Sequence, residues 1–180
     1  MVDIATKTLE LFHKQFPLRQ GISREELRNK LSLSPESFNS VIRILQETKS
    51  LMESNSLISL YDYKPELSEE QSQFVERYVS DIVEGRFSPR TDLQIDDDIL
   101  NFLLEKGTLV KVADGIVFSR EIFDEMLVGL RKYISHNDEI TVGDFRDLYQ
   151  TSRKYALAVL DYLDQQQITI RVGDARVLRG

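Results

Sequence analysis

Apolar residues recur along this chain at helical spacing, interrupted about every sixty residues by short alternating runs around a turn. The first helical run carries Ile4, Leu9, Leu11, Phe12 and Phe16 on its apolar side, which predicts a helix over 3–15 stopped by Pro17. Ser23-Arg-Glu-Glu26 has the form of a capping box and opens a second helix through Leu27 and Leu31. Ser34-Pro35 supplies an N-cap and a first-turn proline for a third helix with the stripe Phe38, Val41, Ile42, Leu45. Leu51-Met52 and Leu57–Leu60 then flank Ser54-Asn55-Ser56 as two short strands about a turn. Three helices followed by a hairpin is the order of a winged helix, a helix-turn-helix relative with a β wing.

The pattern returns twice. Ser68-Glu-Glu-Gln71 is a second capping box, leading into Phe74, Val75, Tyr78, Val79 and Ile82 and closed by Gly85. The weakly patterned stretch Arg86 to Asp96 is expected to hold no more than one helical turn. Ile99, Phe102 and Leu103 start the next amphipathic run, and Asp114-Gly115 turns a hairpin between Leu109–Val112 and Ile116–Phe118. Phe123, Met126, Leu127, Leu130, Tyr133 and Ile134 keep the helical period in the last third, where Thr141 caps a short helix with Asp144 at its third position. The expected fold is mainly α with small β hairpins (α+β), a tandem of winged helices over 1–63, 64–118 (abbreviated) and 119–180.

The last thirty residues carry the candidate chemistry. With Gly173-Asp174 as a two-residue loop, Val172 pairs with Ala175, Arg171 with Arg176, and Ile170 with Val177. Alternation then turns Ile170, Val172, Ala175 and Val177 toward a core. It sets Arg171 and Arg176 against each other on the outer face, where like charges repel and an anion would relieve them. The preceding helix, with Thr151 as its N-cap and Ala156, Val159, Leu160 and Leu163 buried, begins with Ser152, Arg153 and Lys154. Cations in a first turn oppose the helix dipole, so this end suits an anion better than it suits solvent.

Composition narrows the partner. The chain has 180 residues and a net charge of −7, so it is not basic overall. Residues 1–119 carry 14 Lys+Arg against 20 Asp+Glu, whereas residues 120–180 carry 9 against 10. Nucleic-acid contact is therefore expected at the C-terminal end alone. There is no cysteine, no apolar run of membrane length and no leader pattern, which points to the cytoplasm. No phosphate-binding loop of the G-x-x-x-x-G-K-[ST] type occurs. His13 and His136 are expected to be structural, exposed or half-buried, and Asp96-Asp97-Asp98 to be an acidic helix start. No catalysis, metal or cofactor is expected.

The runs Ile140-Thr-Val-Gly-Asp-Phe-Arg-Asp-Leu148, Thr151-Ser-Arg-Lys-Tyr155, Asp161-Tyr-Leu-Asp164, Arg171-Val-Gly-Asp174 and Arg176-Val-Leu-Arg179 resemble the C-terminal winged helix of the bacterial selenocysteine-specific elongation factor family, SelB. Pro17-Leu-Arg19 with Gly21 and Ser23-Arg-Glu-Glu-Leu-Arg28 resembles an upstream winged helix of the same family. The resemblance implies the last three of that family's four winged helices, the arm whose final member binds the SECIS hairpin of selenoprotein messenger RNA. It further implies the GTPase and tRNA-binding domains of such a factor, and the ribosome, as partners. Carried onto this chain, the RNA-binding positions are Ser152, Arg153, Lys154 and Tyr155, then Arg171 and Arg176, with Arg146 on the short preceding helix as a further addition. A monomer is expected. Two other readings stand beside this one: a winged-helix DNA-binding regulator, disfavoured because the third helix of the first unit offers only Arg43, and a protein-interaction scaffold.

Overall fold

The computed structural model describes residues 1–179, and among these it forms eight helices and eight short strands in an α+β tandem winged-helix arrangement. The chain divides into two compact units, Met1–Gln71 with Asp97–Phe102, and Ser72–Asp96 with residues 103 onward.

In the first unit the order is α1 (Val2–Gln15), β1 (Ile22–Ser23), α2 (Arg24–Leu31), α3 (Pro35–Glu47), β2 (Leu51–Ser54) and β3 (Leu57–Leu60). Ser23 and Ser34 cap α2 and α3 by accepting from the amides of Glu26 and Ser37; the box predicted at Ser23 is half formed, since the Glu26 carboxylate turns to Lys30 at 3.7 Å. The strands form an antiparallel sheet in the order β1–β3–β2, with Ile22 opposite Ile58. Leu9, Phe12, Leu27, Phe38, Leu45 and Ile58 close the core between helices and sheet. On α1 the buried stripe is Ala5, Leu9, Phe12 and His13. Ile4 and Leu11, expected on the apolar side, are exposed, because each lies one position, about 100° of helix, from that stripe.

His13 also departs from expectation. It is only 5% exposed, its Nε2 accepts from the Leu60 amide at 3.3 Å, and its ring stacks on Tyr63 with centroids 3.4 Å apart. The Tyr63 hydroxyl donates to the Pro17 carbonyl at 2.6 Å. Burial favours the neutral imidazole and brings its pKa down to about 4.

Next come α4 (Glu69–Glu84), α5 (Asp97–Glu105), β4 (Leu109–Ala113) and β5 (Ile116–Ser119). Ser68 and Gln71 cap the start of α4 reciprocally, and Asp97 and Asp98 lie in the first turn of α5. The stretch 86–96 holds no helix. It leaves α4 by a tight bend at Gly85, where a Cβ would collide with the Cα of Pro89 at 2.7 Å.

The second unit continues with α6 (Arg120–Asn137), β6 (Ile140–Thr141), α7 (Val142–Tyr149), α8 (Arg153–Gln165), β7 (Thr169–Val172) and β8 (Ala175–Leu178). Its last sheet has the order β6–β8–β7, which puts β8 at the centre. Phe118, Phe123, Met126, Leu130, Phe145 and Leu160 anchor its core. From β1 onward the first unit and the end of the second are copies in register. β1, α2, α3, β2 and β3 coincide at both ends with β6, α7, α8, β7 and β8 after a constant displacement of 118 positions. Even the left-handed residues coincide, Ser32 with Gln150 and Lys49 with Gln167.

Candidate nucleic-acid interface

The start of α8 sits one residue later than the sequence predicts. Ser152 is the N-cap, while Thr151 is buried and donates its hydroxyl to the Phe87 carbonyl at 2.6 Å. Ser88 meets the same hydroxyl at 2.9 Å, so Thr151 is engaged in holding the 87–88 segment. Ser152 makes no side-chain cap, and the first turn contains no acid. Arg153 and Lys154 are both exposed there, opposing the dipole, and among the described residues neither has a carboxylate partner. Tyr155, predicted with them, is half-buried: its hydroxyl donates to the Pro89 carbonyl at 2.7 Å and its ring meets the edge of Phe118. The Lys154 ammonium lies 5.5 Å from the Tyr155 ring centroid, so the core takes one side of this tyrosine and its neighbour another.

In the wing, β7–β8, the predicted register holds: Arg171 opposes Arg176, Val172 opposes Ala175 and Ile170 opposes Val177. The predicted faces hold for Ala175, which is buried, and fail for Ile170, Val172 and Arg176. Ile170 and Val172 are 45% and 55% exposed, and Arg176 is 1% exposed. Because β6 pairs with the far side of β8, that strand is central and its Arg176 face is covered by α8. The guanidinium of Arg176 donates to Asp161 at 2.6 Å and to Asp164 at 3.2 Å. The repulsion expected between the two arginines is thus relieved from within, and Arg176 offers no exposed cation to a ligand. Arg171, at the open end of the same face, turns its Nε to the Gly173 carbonyl at 3.0 Å and remains exposed without a carboxylate partner among the described residues.

These parts meet in a groove of about 310 Å³ between α8, the wing and the start of α7. Arg153 and Leu157 line it from α8, Arg171, Asp174 and the buried Arg176 from the wing, and Thr141, Val142 and Gly143 from the α7 side. Thr141 and Asp144 form a complete capping box, which fixes this helix start, and a Cβ at Gly143 would make only an ordinary contact, with the Thr141 hydroxyl at 3.6 Å. Sequence reasoning missed Thr141–Gly143, Leu157 and Asp174 as groove residues, although the capping box and the glycine within it were legible signals. Arg146 does not line the groove; it is exposed on α7 and pairs with Asp147 at 2.6 Å.

The first unit has a groove in the corresponding place, about 340 Å³, lined by Arg24, Glu25, Arg28, Pro35, Phe38 and Asn39. The displacement of 118 sets Pro35 at the place of Arg153, Glu36 at that of Lys154 and Glu53 at that of Arg171. There Arg24 donates to Glu53 at 2.6 Å and to Asn39 at 2.7 Å, so the charge is spent internally.

Two family models described as the winged helix of elongation factor SelB match the chain, one over residues 6–60 and the other over 132–178. A selenocysteine-specific elongation factor of Desulfomicrobium baculatum is 28% identical over 93% of this chain and 28% of its own length. The protein of that name from Escherichia coli is 24% identical over 96% of this chain and 30% of its own length. The chain thus spans under a third of the length of the curated relatives it matches. Among solved structures, a bacterial selenocysteine-specific elongation factor, EF-Sec, superposes with a TM-score of 0.56 at 19% identity, over 99% of this chain and 30% of its own, and supports the fold. The mRNA-binding domain of Escherichia coli SelB, solved with SECIS RNA, matches 63% of this chain and all of its own at 20% identity and a TM-score of 0.48. The chain resembles the winged-helix region of SelB.

Proposed function

We propose that this chain is the messenger-RNA-binding arm of a selenocysteine-specific translation elongation factor, and that the groove of its last unit holds the SECIS hairpin of selenoprotein messenger RNA. The observation that carries the reading is the pair Arg153 and Arg171. Both are exposed, without carboxylate partners among the described residues, and line one groove, where the first copy has Pro35 and Glu53. The SelB winged-helix matches at both ends of the chain support it.

The mechanism follows from the shape of RNA. The major groove of an A-form duplex is too deep and narrow for a recognition helix, so a winged helix must engage phosphates and unstacked loop bases instead. In this reading Arg153, Lys154 and Arg171 clamp phosphates near the loop, while the Ser152 hydroxyl and the amides of the α8 start face an anion or a base edge. Leu157 gives the groove an apolar side against which a base can lie. The arm binds and does no chemistry, needs no cofactor, and acts as a monomer in the cytoplasm, beside the ribosome and the GTP- and tRNA-binding parts of such a factor.

A titration at two salt concentrations tests this, comparing a SECIS hairpin, the same RNA with a scrambled loop, and a DNA duplex. Tight binding to the first, lost on scrambling, is expected. Preference for the DNA duplex would favour a DNA-binding regulator. Equal, weak and steeply salt-dependent binding to all three would favour a scaffold with an incidental basic corner.

A further inference from the structure

We propose that Arg176 is a positioning residue, which fixes the wing against α8 so that Arg171 meets RNA, and which does not itself touch RNA. The inference rests on the RNA-binding reading above. Arg176 is 1% exposed in the central strand of its sheet, directly opposite Arg171. Its guanidinium spans Asp161 and Asp164, which lie about one turn apart on α8. Asp164 also accepts from the Thr169 hydroxyl at 2.5 Å. One carboxylate therefore ties α8 to both strands of the wing, β7 through Thr169 and β8 through Arg176.

The first copy shows what the fold alone requires. Ile58 stands at the place of Arg176 and is fully buried, while Arg43 and Gln46 stand at the places of Asp161 and Asp164. The strand register is unchanged, with Glu53 opposite Ile58. A hydrocarbon is thus enough to build this sheet, and an ion pair that buries its cation is often no more stabilising than a hydrocarbon of similar volume. What the ionic version adds is direction. An isoleucine packs by shape and tolerates a slide, whereas a planar guanidinium held by two carboxylates sets one angle between strand and helix. Arg171 inherits its place over the groove from that angle.

The test uses the full chain, hairpin titrations over a range of salt, and amide hydrogen exchange. Arg176→Met is expected to unfold cooperatively like the parent, to bind the SECIS hairpin about tenfold more weakly, and to keep the parent's salt slope. Arg171→Ala, the comparator, is expected to lose about one phosphate contact from that slope. Asp164→Asn is expected to weaken binding as well, and both Arg176→Met and Asp164→Asn to speed exchange at the amides of β7. Parent-like binding by a folded Arg176→Met overturns the proposal. So does tighter binding by Asp164→Asn with a reduced slope in Arg176→Met, which would make Arg176 a phosphate ligand freed from competition. If Arg176→Met does not fold, Arg176→Lys decides, since it keeps the charge without the fork: weaker binding supports positioning, and undiminished binding overturns it. A parent that fails to bind the hairpin sinks the RNA reading, while β7 exchange still reports on the wing, and unchanged exchange in the variants sinks the positioning role.

Discussion

Arg171 and Glu53 occupy the same place in two copies of one fold, each the third residue of the first wing strand and each opposite a fully buried residue, Arg176 and Ile58. Around Glu53 the groove neutralises itself, because Arg24 reaches it at 2.6 Å. Around Arg171 no such partner exists among the described residues, and Arg153 adds a second cation. The two winged helices share a backbone plan and differ in what they can attract, so attraction of phosphate is a property of the last copy and not of the fold.

The first prediction concerns that attraction. Replacing Arg153 or Arg171 by alanine should weaken hairpin binding and lower the salt slope by about 0.7–0.9, one counterion's worth for each. Lys154→Ala should do the same. Arg146→Ala, which removes a cation already paired with Asp147, should change the slope less. Fluorescence titrations from about 50 to 200 mM salt would read these slopes. Equal slopes in the parent, Arg153→Ala and Arg171→Ala would remove the groove from the interface.

The wing shows how far the sequence could be read. Gly173-Asp174 gave the register, because a two-residue turn fixes which residues oppose each other. It could not give the facing, since alternation allows two solutions and Ile170 and Val172 argued for the wrong one. The deciding element is β6, two residues long, too short to show any periodicity, yet enough to make β8 central. A signal was present in Asp161 and Asp164, an acidic pair on the helix above a strand arginine. The N-cap of α8 was equally ambiguous, as Thr151 and Ser152 both suit it; the choice falls to Ser152 because the distant Phe87 carbonyl takes the threonine hydroxyl. Capping boxes and stripes depend on near neighbours and were legible. Arg176 and Thr151 answer to partners that spacing does not reveal.

His13 should make the first unit acid-sensitive. Its pKa is about 4 in the fold against 6.5 for a free imidazole, so between those values the unfolded chain holds more protons than the folded one. Stability is therefore undiminished by this group above pH 6.5, falls as pH drops below it, and levels off near pH 4 with a loss of about 3 kcal/mol. The urea midpoint of the chain should shift accordingly, and His13→Leu should flatten this part of the dependence while costing the bond to the Leu60 amide. A parent and a His13→Leu variant with parallel pH profiles would show that the imidazole is not held neutral.

Gly129 and Tyr149 form a tight contact in the second unit. A Cβ at position 129 would overlap the Tyr149 hydroxyl, which donates to the Met126 carbonyl at 2.6 Å. Burial pushes that phenol up to about 12, so it remains a donor across the working range. Gly129→Ala should cost about 1–3 kcal/mol through overpacking, despite the better helix propensity of alanine. In a Tyr149→Phe background the overlap with the hydroxyl is gone and the nearest atom is the ring Cζ at 3.3 Å, so the same substitution should cost clearly less, the helix propensity of alanine offsetting the tightness that remains. Thermal melts of the four proteins give the cycle, and additive effects would mean the two residues do not meet.

The last prediction converts one copy toward the other. Arg24→Val with Glu53→Arg removes the internal pair of the first unit and installs the residues found at Val142 and Arg171. The pair is partly exposed, so its loss should cost no more than about 1 kcal/mol. With Arg28 already lining the groove and Glu53 gone, the site should gain affinity for phosphate. The variant should bind scrambled hairpins more tightly than the parent does, with a salt slope steeper by about one contact, and so discriminate less between loops. Glu36 and Pro35 would still stand where the last copy has Lys154 and Arg153, which limits the gain to the wing side of the groove. If the slope stays at the parent's value, charge at the Arg171 position is insufficient by itself. The wing angle set by Arg176, for which the first copy has only Ile58, would then be the missing requirement.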